Sequence, residues 1–228
     1  MLLSLDTATR HSGLALYDGR QIVAELNWRS IDAQTTELLP RLEQIMAWSG
    51  VQRADLTALA VSIGPGSFTG LRVALSLAKG MALAHSLPLI GVPTLDATAY
   101  AHLGELPVCA VVQAGRGRVL WSIYQAEATA SGDHAVNLAG WRGRRTPVAL
   151  TDHAGLAAAI DRPMRLVGEL TPELHSGLAA LVGDRATLAR PAAGARRAGF
   201  VAELGWLRWQ AGQVDDTAAL SPIYLHEP

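Results

Sequence analysis

Between Ser62 and Arg72 the chain reads Ser-Ile-Gly-Pro-Gly-Ser-Phe-Thr-Gly-Leu-Arg, with Gly64, Gly66 and Gly70 set around Pro65 and the hydroxyls of Ser67 and Thr69. Glycine permits positive φ and lets main chain approach a ligand or another segment closely, and Ser67 or Thr69 can cap a following helix by accepting from its free amides. A helix end of that kind attracts anions, so Gly64, Gly66, Ser67, Thr69 and Gly70 are a candidate phosphate or nucleotide contact. The run has neither the Gly-Lys-Ser/Thr ending of a Walker loop nor the Gly-x-Gly-x-x-Gly spacing of a dinucleotide site. It suits a tight strand-to-helix turn with no ligand equally well. A second candidate is Asp6-Thr7-Ala8-Thr9. There Asp6 can orient a magnesium ion and Thr7 can touch phosphate, although short polar side chains before a turn commonly bond local backbone instead.

No other residue type offers a catalytic centre. Ser67 lacks the Gly-x-Ser-x-Gly elbow of a nucleophilic serine. Cys109, the single cysteine, sits in the apolar run Pro107 to Val112, where nothing lowers a thiol pKa. The histidines at 11, 85, 102, 134, 153, 175 and 226 show no metal-ligand spacing. Arg142, Arg144, Arg145, Arg196 and Arg197 make a basic set that suggests RNA, but no aromatic platform accompanies them, which favours solvated faces. Catalytic residues and a bound metal are therefore not expected.

Composition narrows the class. With 228 residues, half of them apolar and 17% charged, the chain can bury a sizeable core, and a net charge of −1 removes whole-surface attraction to nucleic acid or an anionic membrane. A lone cysteine excludes an internal disulfide and suits a reducing compartment. Met1 to Asp6 is too short and lacks the basic flank of a signal peptide, and Leu71 to Val92 is interrupted by Arg72, Lys79, His85 and Pro88, so no membrane span is expected and the expected location is cytoplasmic.

The elements that position these residues follow from periodicity. Leu2 to Asp6, Ser12 to Tyr17 and Gln21 to Trp28, with the Asp18-Gly19 turn, predict a three-stranded antiparallel meander. Leu38, Leu39, Leu42, Ile45 and Met46 recur at helical spacing over 35–49, with Gly50 as the stop. Leu56 to Ile63, a helix over 69–85 and Leu89 to Val92 then make a parallel crossover. Farther on, strands are predicted near 108–113, 119–124, 148–150 and 165–167, helices over 152–160, 172–182 and 195–210, and a solvated loop at Gly140 to Arg145. This gives an α/β fold with halves at 1–104 and 105–228, each mixing a meander with helices as a duplicated unit would.

Leu5-Asp6-Thr7-Ala8-Thr9, Leu38-Leu39-Pro40, Gly64 to Arg72, Leu89-Ile90-Gly91-Val92 and the closing Ser221-Pro222-Ile223-Tyr224-Leu225 together resemble the bacterial TsaB (YeaZ) family. The resemblance is best over residues 1–125. It implies an actin-like, Hsp70-like ATPase fold of two half-domains, the second reduced, each with a mixed sheet flanked by helices. It also implies a non-catalytic subunit that supports TsaD, with TsaE, in placing threonylcarbamoyl on adenosine 37 of tRNAs that read codons beginning with A. On that view the chain needs no cofactor, ATP or ADP sits at the junction with TsaD, and tRNA is met only within the complex. The related TsaD family holds a metal through two histidines where Thr94 and Thr98 stand here, and neutral hydroxyls are poor substitutes for imidazole. Gln34, Gln113 and His226 also depart from the usual family residues.

In the family the two N-terminal helices pack against their counterparts in TsaD. Gly70, Ala74, Ala78 and Ala82 form a small-residue stripe at i, i+4 spacing, beside Leu71 and Leu75. With Leu38, Leu42 and Met46 from the preceding helix, these are the residues expected to meet TsaD, or a second copy of the chain when it is alone. The competing reading is an actin-like ATP hydrolase or small-molecule kinase that uses Asp6 and the Gly64 to Gly70 turn.

Overall fold

In the computed structural model, which describes every residue except 32, 133, 139 and 225–228, the expected meander is present as β1 (Leu2–Asp6), β2 (His11–Tyr17) and β3 (Ile22–Arg29). Asp18 builds the turn between the last two: its Oδ1 accepts the amides of Arg20 and Gln21, each at 2.8 Å. Helix α1 (Gln34–Ser49) ends on Gly50 in the left-handed region at φ 69°. A 3-10 turn, Arg53–Asp55, leads to β4 (Ala58–Gly64), α2 (Phe68–His85) and β5 (Leu89–Pro93). β1 pairs antiparallel with β2 and parallel with β4, giving the order β3-β2-β1-β4-β5.

The following stretch holds α3 (Thr94–Tyr100), β6 (Val108–Gly115), β7 (Arg118–Ala126), β8 (Ala135–Leu138), β9 (Trp141–Arg145), β10 (Ala149–Asp152), α4 (His153–Ala158), β11 (Met164–Gly168), α5 (Pro172–Val182), β12 (Ala186–Leu188) and α6 (Pro191–Gly194). Its sheet runs β12-β11-β6-β7-β9-β8, with β10 pairing on β7. The path β9-β7-β6-β11-β12 repeats the first sheet's pattern of antiparallel, antiparallel, parallel, parallel pairings, in keeping with a duplicated unit.

The stretch 140–145 corrects the sequence reading. Trp141, Gly143 and Arg145 turn toward the protein while Arg142 and Arg144 are exposed. That period of two is a strand signal, concealed because arginine and glycine occupy positions where apolar residues are expected. α3, β8 and β12 were also not anticipated, and each is short.

The last helix, α7 (Ala198–Gln210), changes the domain division. The chain forms two compact units, Met1–Thr94 with Arg197–Pro228, and Leu95–Arg196, whereas sequence order suggested a boundary at 104/105 with everything beyond it in the second half. α7 returns to the first sheet. Ser4 Oγ donates to Ala198 O at 2.8 Å, and Gly205 sits so close to Ala60 that a Cβ there would collide with it. On the opposite face Leu3, Leu5, Leu14, Leu16, Leu59 and Val61 form one core with α1 and α2. Because both faces of the sheet are covered, β1 is buried throughout and β4 at every position except the partly buried Ile63. The second unit has its own core, from Cys109, Val111, Trp121 and Ile123 to Leu156, Leu174 and Leu178. Among the described residues no helix is long and apolar enough to cross a membrane.

Candidate functional site

The two loops read as separate nucleotide contacts meet each other. Ser67 donates its amide to Ala8 O at 2.6 Å, and Thr7 Oγ1 donates to Gly70 O at 2.6 Å. A Cβ at Gly66 would run into the Ala8 carbonyl and one at Gly70 into the Thr7 carbonyl. These glycines admit another stretch of the same chain. The buried Asp6 carboxylate accepts the Ala8 amide at 3.0 Å, so it orders its own loop. Ser67 is the cap, its Oγ accepting from Gly70 N at 3.2 Å, and Gly64 takes φ +106° beside Ile223. Thr69 is exposed and joins a different feature.

That feature is a groove of about 460 Å³ between α1 and α2, lined by Thr35 and Leu39 from the first helix and Phe68, Arg72, Ser76 and Leu77 from the second, with Leu38 and Thr69 also on its wall. Leu39 is 49% exposed and Phe68 57%. The outward side of α2 continues through Gly80, where an added Cβ would meet nothing, to the exposed Leu83. α1 is braced against β3: Trp28 Nε1 donates to Glu37 Oε2 at 2.8 Å, and the Arg41 guanidinium lies 4.6 Å from the Trp28 ring centre.

Away from the groove, the residues expected to meet a partner are turned inward. Leu38, Leu42, Gly70, Leu71, Ala74, Leu75, Ala78 and Ala82 are buried in the unit's own core, and Met46 is packed against it. A small-residue stripe shows that something approaches closely, and here the neighbour is the chain's own core. The outward residues of the two helices are Leu39, Phe68, Arg72, Ser76 and Gly80, none of them in the expected set, although an aromatic directly after a helix cap was a signal that could have drawn attention to Phe68.

Cys109 is buried, and burial pushes its thiol up to about 12. In the second unit the Asp96 carboxylate accepts from Tyr124 Oη at 2.6 Å and from Arg145 Nη1 at 2.7 Å; burial and that carboxylate hold Tyr124 well above the usual phenol range. The arginine set is dispersed. Arg145 is committed to Asp96, Arg144 to Glu127 at 2.9 Å and Arg197 to Glu25, while Arg196 is buried. Among the described residues no three His, Cys, Asp or Glu side chains converge as a metal site would require.

Residues 31–185 match the profile of the family described as TsaD, tRNA N6-adenosine threonylcarbamoyltransferase. The tRNA threonylcarbamoyladenosine biosynthesis protein TsaB of Escherichia coli is 36% identical over 129 residues, 55% of each chain. The protein of the same name from Haemophilus influenzae is 38% identical over 115 residues, 48% of each. This chain belongs to that family, on its TsaB/YeaZ side. It spans about half the length of the curated relatives it matches. YeaZ from Pseudomonas aeruginosa superposes with a TM-score of 0.72 at 24% identity, over 98% of this chain and 99% of that one. A ROK hexokinase from Thermus thermophilus follows at 0.51 and 13% identity, over 92% and 99%. The fold is thus the actin-like one that the TsaB/YeaZ resemblance implied. Of the departures from the TsaB/YeaZ pattern, Gln34 is buried at the start of α1 and Gln113 donates its side-chain amide to Glu169 O at 2.7 Å. Thr94 and Thr98 are buried on α3, and Leu225 and His226 lie outside the described residues.

Proposed function

We propose that this chain is a non-catalytic subunit that docks through the outward faces of α1 and α2 onto TsaD and supports the formation of threonylcarbamoyladenosine at position 37 of tRNAs reading codons that begin with A. The observation that carries the reading is the groove between those helices, rimmed by the exposed Leu39 and Phe68. Exposed apolar area of this kind at a two-helix face is what another helix pair would cover. Ser76 and Gly80 keep the middle of α2 low, so a partner helix can approach closely there.

TsaE is the second partner on this reading, tRNA enters only through the complex, and the site of action is cytoplasmic. The chain itself carries no cofactor. ATP or ADP is assigned to the junction with TsaD, because Thr7 and Ala8 close the Gly64–Gly70 turn from within. When TsaD is absent the same face can serve a homodimer.

The test is co-purification with TsaD, comparing the wild-type chain with Ser76→Arg, whose long charged side chain would stand in the groove while leaving the core intact. We expect at least a tenfold loss of binding and loss of tRNA modification in the reconstituted mixture. Undiminished binding by Ser76→Arg would falsify the docking face. Steady ATP turnover by the chain alone, abolished in Asp6→Ala, would overturn the non-catalytic reading in favour of the hydrolase.

A further inference from the structure

After α7 the chain runs back along the first unit and is held at successive points. Asp215 donates its amide to Leu89 O at 3.0 Å and accepts the Gly91 amide at 2.7 Å. Lys79 Nζ on α2 donates to Ala218 O at 3.0 Å, and Leu220 packs on the apolar core. Ile223 then donates its amide to Ile63 O at 2.7 Å, beside Gly64, whose lack of a Cβ makes room for the Ile223 carbonyl. Finally the Tyr224 ring lies 5.0 Å from that of Phe68 with the planes 32° apart, and the Arg72 guanidinium is 5.0 Å from the Phe68 ring centre. Phe68 and Arg72 both line the groove.

We infer that residues 215–224 form a strap that sets the mouth of the α1/α2 groove, with Tyr224 as the positioning residue for Phe68. The turn ahead of α2 is gripped by Ala8 through the Ser67 amide and by Ile223 beside Gly64. The first residue of the helix presents a large exposed aromatic side chain that would otherwise sample several rotamers. A ring held beforehand loses less freedom when a partner covers it, so the strap raises affinity without itself supplying the main contact. This inference rests on the docking reading above, and it names as partner a chain whose helices cover Phe68.

The experiment measures the affinity of TsaD for the full chain as wild type, Tyr224→Ala, Tyr224→Phe and Ser76→Arg, together with amide exchange of residues 67–71 in each free chain. Loss of one aromatic pair should raise the dissociation constant of Tyr224→Ala by about three- to tenfold. Tyr224→Phe, which keeps the ring, should stay within about twofold on the same scale, and both variants should unfold at the wild-type temperature. In free Tyr224→Ala the amides of 67–71 should exchange faster. Exchange unchanged from wild type overturns the strap, and faster exchange with unchanged affinity overturns its part in docking. Failure of the wild-type chain to bind TsaD, or wild-type affinity in Ser76→Arg, overturns the docking reading instead, and the exchange of 67–71 still decides the strap.

Discussion

Gly64 at the end of β4 and Gly168 at the end of β11 take nearly the same conformation, φ +106° and +107°, and each is pressed against a main-chain carbonyl, of Ile223 in one case and Val111 in the other. Three residues later each unit starts a helix with a hydroxyl cap, Ser67 accepting from Gly70 and Thr171 from Leu174, both at 3.2 Å. At the capped position the units part. Gly70 lets the Thr7 carbonyl come against the helix, whereas Leu174 drives a side chain into the second core. Where Thr7 bonds Gly70, the second unit uses Gln113, whose side chain donates to Glu169 O. The helices differ as well: α1 and α2 have 16 and 18 residues and leave a groove between them, while α4 and α5 have 6 and 11. The same strand plan is thus compatible with a closed turn in both units, and the groove lies between the longer helix pair.

The comparison breaks most visibly at the third helical residue. Gly70→Leu should leave the first unit unfolded, because its Cβ would enter the Thr7 carbonyl, whereas Leu174→Ala should leave the second unit folded but less stable by about 2–5 kcal/mol. Unit-resolved amide exchange checks both, and a normally protected first unit in Gly70→Leu would show that the close approach of β1's loop is not required. The caps should behave alike. Ser67→Ala and Thr171→Ala each lose about 1 kcal/mol, read by denaturant unfolding, and strongly unequal losses would mean that the two turns are not equivalent.

The smallest effects at neutral pH are electrostatic, and they separate the units only at the extremes. Burial opposes ionisation of Glu25, but hydrogen bonds from Arg197, Asn27 and the Gly199 amide outweigh it and hold its carboxyl below the ordinary value of 4.5. Its contribution is therefore present above about pH 4.5 and lost as pH falls through the lower folded value. Tyr124 is shifted upward from 10.0 by burial and by Asp96, so its contribution is present below pH 10 and lost as pH rises further. Exchange followed against pH should show the first unit loosening in acid and the second in alkali. Glu25→Gln should weaken the acid dependence of the first unit and Tyr124→Phe the alkaline dependence of the second.

Much of this was legible in the chain itself. The meander, the crossover around α2, a hydroxyl cap at Ser67 or Thr69 and the buried Cys109 follow from apolar period, turn residues and composition, which are local properties. β9 was not legible, because its inward positions are Trp141, Gly143 and Arg145, and the last is retained by Asp96, distant in sequence. For the candidate groove, residue type pointed to α1 and α2 but to their inward residues: on α2 an alanine against its own core and an alanine facing outward look the same in sequence.

The order of apolar, glycine and capping residues by itself determined the meander, the crossover and the turn that launches α2, since these depend on backbone geometry within a few residues. Only the tertiary structure decided that α7 covers the first sheet, that Thr7 and Ala8 fill the glycine turn, and that Phe68 rather than Ala78 faces outward. Each of those depends on which distant segment occupies a given volume first, and close packing allows only one occupant.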